Sequence, residues 1–270
     1  MRTLTKFVAA AAAAVSITAI ASPSQAALVD FASFIQNSVG TDVLFTNTGG
    51  GTATMTTTVS AAGGAGISPS IFTYSMAEPL LNALGGLKAS FNLNASIVPS
   101  TVAQQLGGGS FLQNGFDGTF SYTYTGPNFT FGANTYSAGA NLLKGVFHNG
   151  QIFGSGRTGQ GGDDTTLGGT VFYTSDLLNF GATVERAFSI SLNSVAPGFG
   201  AAGCPAGGAF GNCTSALNTF RASTAGSFSS DPLPTYLPEP GTWGLMLVGF
   251  GGMGAMLRSR SRRRAAAVTA

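Results

Sequence analysis

The sequence predicts an all-β protein: an antiparallel β-sandwich ectodomain carried between an N-terminal signal peptide and one C-terminal transmembrane helix. Three observations point there. Polar and apolar residues alternate with period two through much of residues 27–228, as in strands that bury one face. Charged residues are only 8% of the chain, against about 25% in an average soluble protein. Its 21 phenylalanines nevertheless supply enough apolar surface for a core, which argues against disorder. Finally, each end carries an apolar run with basic residues beside it.

Residues 1–26 read as a secretory signal peptide. Arg2 and Lys6 form the positive start, residues 7–21 are apolar and alanine-rich, and Ser22-Pro23 breaks the run. Ser24-Gln25-Ala26 offers the small residues that signal peptidase reads, placing the cut between Ala26 and Ala27.

Residues 27–228 form the ectodomain, long enough for one domain of about 200 residues or two small ones. Alternation predicts strands at residues 52–60, 90–98, with Phe91, Leu93, Ala95 and Ile97 on one face, and 119–125, with Phe120, Tyr122 and Tyr124 together. Gly126-Pro127-Asn128 turns the chain and Phe129–Phe131 returns it. Residues 142–148 and 151–154 flank Asn149-Gly150, which predicts a type I′ hairpin. Residues 170–174 and 184–192 are further strands, the latter with Phe188, Ile190 and Leu192 in register, and residues 217–228 supply a last pair. Helix is expected only as a turn or two within residues 77–87 and a short turn-helix at 175–180. About ten short strands with turns between them suit a sandwich. Cys204 and Cys213 enclose eight residues, and in an exported chain such a pair reads as a disulfide.

Residues 229–237 (Ser-Ser-Asp-Pro-Leu-Pro-Thr-Tyr-Leu) read as a Pro-rich stalk. Beyond it come Pro238, Glu239, Pro240 and Trp243, then an apolar stretch to Leu257, then Arg258, Arg260, Arg262, Arg263 and Arg264, with residues 265–270 as a tail. Residues 241–257 carry no charge and would span roughly 25 Å as a helix, against a hydrocarbon core of ~30 Å. The prolines keep the chain extended outside the membrane. Trp243 suits the outer interface, and the arginines stay cytoplasmic.

This three-part layout resembles the PEP-CTERM sorting signal in its PEPxxWA form. It departs from that form at Gly244, where alanine usually follows the tryptophan, and in the six residues after Arg264. The resemblance covers residues 237–264. It implies processing by exosortase, a transpeptidase-like membrane protease of Gram-negative bacteria. It also implies an inner-membrane intermediate, then delivery to the envelope, the cell surface or the extracellular matrix, in company with exopolysaccharide and biofilm systems. The tail occurs on many unrelated ectodomains, some described as ice-binding, so it implies an address and no activity. The segment 173–180 followed by the 188–192 strand also looks like ectodomains that carry this tail.

Little else signals chemistry. Between residues 27 and 237 stand five bases and nine acids, about −4. Phosphate contacts need clustered Lys and Arg, so nucleic acid is set aside. His148 is the one histidine and reads as a hairpin-edge residue; no nucleophile elbow or phosphate loop accompanies it. A glycosidase needs only two carboxylates, which need not be neighbours in sequence; Glu78, Asp117, Asp176 and Glu185 are the candidates. Asp163 and Asp164, in a glycine-rich loop, are a weak Ca²⁺ candidate without the aspartate spacing of known loops, and no cofactor is expected. Thr52, Thr54, Thr56 and Thr58 share one strand face, a solvent face that elsewhere serves glycan or ice contact. The expectation is a non-enzymatic surface or matrix protein sorted by exosortase. A carbohydrate-binding or ice-binding module is the alternative, and a polysaccharide hydrolase or lyase the second.

Overall fold

A computed structural model describes residues 28–38, 40–58, 66–75, 79–97, 99–163, 169–181, 185–236, 248 and 250. Seventeen strands occur among them. They are β1 (Val29–Gln36), β2 (Val43–Gly49), β3 (Thr52–Thr57), β4 (Ser68–Tyr74), β5 (Gly86–Ile97), β6 (Gln104–Gln105), β7 (Ser110–Tyr124), β8 (Phe129–Phe131) and β9 (Asn134–Tyr136). After them come β10 (Asn141–Ser155), β11 (Thr158–Asp163), β12 (Thr170–Thr174), β13 (Leu178–Asn179), β14 (Glu185–Ala196), β15 (Gly211–Asn212), β16 (Phe220–Asp231) and β17 (Thr235–Tyr236).

Every pairing among the described residues is antiparallel, and the main ladder closes on itself. Going round, β16 pairs with β1, then β4, β5, β7, β10, β11, β14 and β16 again. The two faces of the expected sandwich are therefore joined at both margins, which leaves the strands of this ring without a free edge along the paired stretches, while β12 pairs with β10 alone and β15 with β6 alone. Long strands make this possible by changing partner along their length. The start of β16 pairs with β2 and its later part with β1. Likewise β5 takes β4 along Gly86–Phe91 and β3 along Asn94–Ser96. β10 takes β12 before its bulge and β11 after it.

The interior is filled by rings. Phe228 is fully buried, and its ring centroid lies 5.3–6.4 Å from those of Phe31, Phe34, Phe72, Phe120, Tyr122 and Tyr173. Leu87, Ala89, Phe91, Leu93, Ala95 and Ile97 point inward from β5, while Lys88, Ser90, Asn92, Asn94 and Ser96 point outward. Alternation thus sorts the chain into an aromatic interior and a hydroxyl- and amide-rich exterior.

Several local expectations give way. Asn149-Gly150 makes no hairpin, and β10 runs straight through it. Only Asn149 has positive φ (55°), whereas a type I′ turn needs it at both residues. The pair is instead a bulge against β7, pinned by Asp117 Oδ1, which accepts the Asn149 N–H at 2.9 Å. The real turn is Gly156-Arg157, between paired Ser155 and Thr158, with Gly156 at φ 57°. Residues 175–180 form no helix. Ser175 Oγ accepts the N–H groups of Leu177 and Leu178, and the chain continues into β13. Phe129–Phe131 pairs with β9 rather than returning along β7. Residues 217–228 are no pair of strands, as β16 alone covers all but the first three. Of the helix expected at 77–87, the described part is one turn, Pro79–Asn82, before β5 begins. The stalk is also corrected: Ser229–Asp231 complete β16, and Thr235–Tyr236 pair with β13. A cross-strand partner for each backbone outweighs the local Pro and Ser composition.

Candidate functional site

The domain hands its C-terminus on from a fixed point. After β16, Leu233 packs against the core and Pro234 is buried. Tyr236 then pairs with Leu178 and Thr235 with Asn179. Leu237 alone separates this ladder from Pro238. Pro238, Glu239, Pro240, Trp243 and all five tail arginines lie outside the described residues, as do the signal segment with Ala26 and Ala27. Of the apolar run only Val248 and Phe250 are described; both are helical and exposed. Among the described residues no helix is long and apolar enough to cross a membrane.

Two of the candidate carboxylates, Asp117 and Asp176, do not converge. Asp117 on β7 meets His148 on β10, Oδ2 to Nδ1 at 3.3 Å, with both side chains well exposed. This pair lies on the outer sheet face, without the water exclusion that acid–base or nucleophilic chemistry gains from a closed site. Asp176 is spent on structure, its Oδ2 accepting the Asn141 N–H at 2.7 Å. Asn141 stands six residues from Phe147, the partner of Gly118, so Asp176 and Asp117 are roughly 20 Å apart along the strands. That is beyond the spacing of a glycosidase pair. Glu185 stands opposite Asp231 across the β14–β16 ladder, an unfavourable placement of like charges. Glu78 lies outside the described residues.

Asp163 ends β11, and its Oδ1 accepts the Phe188 N–H at 2.7 Å, tying β11 to β14. Its expected companion Asp164 lies outside the described residues. Among the described residues no three His, Cys, Asp or Glu side chains gather as a metal site. Thr52, Thr54 and Thr56 do share the outer face of β3, but Thr58 is buried. Its N–H donates to the Asp42 carbonyl as the strand ends, so the ladder is three threonines long. Cys204 and Cys213 form the expected disulfide.

Sequence reading missed two features. Asp42 is buried, with Thr224 Oγ1 donating to its Oδ2 at 2.6 Å and no partner on Oδ1. Burial pushes its carboxyl up to about 6, against the opposing pull of the Thr224 hydrogen bond. Nothing in a lone Asp between Thr and Val signals burial. Arg186 stacks over Phe172 and Phe180, 5.9 Å from each ring, and burial lowers its proton affinity.

The tail decides the comparison. Residues 237–263 match the PEP-CTERM protein-sorting motif. The chain carries a PEP-CTERM tail. No curated protein and no solved structure matches the chain. The PEP-CTERM match begins one residue beyond Tyr236, the last residue of β17. It implies export, sorting to the cell envelope and processing by exosortase, and the β domain before it is the cargo.

Proposed function

We propose that the protein is a non-enzymatic component of the cell surface or extracellular matrix, sorted through exosortase and associated with exopolysaccharide in a biofilm-type matrix. The observation that carries the reading is a PEP-CTERM motif joined directly to the last paired strand of a closed, charge-poor domain. In this reading signal peptidase releases the N-terminus at Ala26–Ala27 and the C-terminal helix holds the protein in the inner membrane. Exosortase then acts at Pro238-Glu239-Pro240. A hydroxyl- and amide-rich outer surface suits a hydrated polymer environment. The separation of Asp117 from Asp176 favours a carrier or binder over a hydrolase that would use this pair.

The test is to mix the full chain, purified in detergent, with its host's own exopolysaccharide and to measure retention and released reducing ends together. Retention without release is the expected result. Released reducing ends would make the protein an enzyme, and absence of retention would remove the polymer partner.

A further inference from the structure

Phe153 on β10 is 44% exposed at the centre of the outer face formed by β10, β11 and β14. Its cross-strand partner is Gln160, whose own partner is Ser191. On one side, Gln151 pairs with Gly162, which pairs with Ser189. Two open depressions of about 360 and 200 Å³ flank the ring, the first reaching Asn193 and the second Gln151 and Ser189. Gly162 lines the second, where the close approach of β11 to β14 leaves no room for a side chain: a Cβ there would meet the Phe188 carbonyl oxygen at 2.4 Å. Ser155 and Gln151, four residues apart on β10, set a length of about 14 Å, room for about two or three sugar rings.

The chemistry of this face is selective. The side-chain amides of Gln151, Gln160 and Asn193 have no hydrogen-bond partner among the described residues. Some amides elsewhere are engaged, as where Gln36 Nε2 donates to the Gly40 carbonyl and Gln113 Nε2 to the Thr101 carbonyl. Among the described residues Asp163 is the one charged side chain lining the depressions, and its Oδ1 already holds the Phe188 N–H. An aromatic ring amid neutral donors and acceptors matches a pyranose, with an apolar C–H face and a rim of hydroxyls. A domain of about −4 with no base in the groove discourages acidic polymers.

We propose that the β10–β11–β14 face binds a neutral glycan strand, with Phe153 as the stacking platform and Gln151, Gln160 and Asn193 reading the hydroxyls. This deepens the exopolysaccharide reading and rests on it for the source of the polymer.

The test is affinity electrophoresis of the full chain in detergent through gels containing host exopolysaccharide, dextran, galactomannan, hydroxyethyl cellulose or the polyanion alginate. Retardation by host polymer and at least one neutral polymer is expected, with none by alginate. Phe153→Ala should weaken it about tenfold, the loss of one anchoring aromatic. Phe153→Tyr should keep it, and Phe210→Ala, an exposed ring in the disulfide loop, should leave it unchanged. Host-polymer retention indifferent to Phe153→Ala would overturn the groove and leave the exopolysaccharide reading standing. Lack of retention by every polymer would overturn both. A shift in self-association on Phe153→Ala, with no polymer effect, would assign the face to a second copy of the chain and overturn the glycan proposal.

Discussion

At the scale of single residues, Asp42 carries the sharpest prediction. Its carboxyl is 1% exposed, and its proton affinity rises from the ordinary 3.8 to about 6 because burial penalises the anion. The folded state therefore binds the proton more tightly than the unfolded chain. Stability from this group is complete below about pH 4 and is lost as pH rises through about 6. The loss is on the order of 3 kcal/mol. Thermal melts from pH 4 to 7 should show Tm falling across that window, and Asp42→Asn should flatten this part of the slope. An unchanged slope in the variant would place the titration elsewhere. Phe228 is the packing counterpart. Truncating a ring that meets six others leaves a large cavity, so Phe228→Ala should cost about 3–5 kcal/mol, read from urea unfolding midpoints.

At the scale of elements, the β10 bulge and the disulfide loop stand out. Asn149 holds φ 55°, which glycine and asparagine accept but β-branched residues resist. Asn149→Gly should be nearly neutral, while Asn149→Val should cost about 1–2 kcal/mol, as strained positions do. Chemical denaturation of the two variants separates these outcomes. The Cys204–Cys213 bridge closes a short loop joined to the body where the Cys213 N–H donates to the Ala103 carbonyl. Replacing both cysteines with serine should cost about 2–3 kcal/mol, seen as a Tm drop that reduction of the parent protein reproduces.

These elements also mark what the sequence makes legible. Alternation identifies the inward faces of β5, β7 and β14 because each strand has one wet and one buried side. β4 escapes notice because Ser68 and Ser70 are buried in its inward row beside Phe72 and Tyr74, and β1 because a register shift buries the neighbours Phe31 and Ala32 together. Asn149-Gly150 misleads because one left-handed residue serves a bulge as well as a turn. The stalk misleads because Pro and Ser composition says nothing of a strand waiting opposite at Leu178–Asn179.

At the scale of the whole molecule, the address was readable and the surface was not. Pro238, Glu239, Pro240, the apolar run and the arginines follow one another within residues 238–264, so the resemblance to the PEP-CTERM signal is carried by one short stretch. The Phe153 face draws on three strands whose partnership no local pattern encodes, although parity along residues 151–154 already turns Phe153 away from Ile152. Closure of the ladder likewise depends on β16 and β5 each changing partner midway. A ladder closed on itself around an aromatic interior suits a domain that must survive outside the cell on few charges.

Sorting through the C-terminal motif is tested most directly by where the protein goes. Host cells expressing the full chain, and a variant with Pro238, Glu239 and Pro240 all replaced by alanine, would be separated into inner-membrane, surface and matrix fractions. A shortened parent chain is expected at the surface or in the matrix, and a full-length variant held in the inner membrane. Identical fractionation and identical length for the two would contradict it.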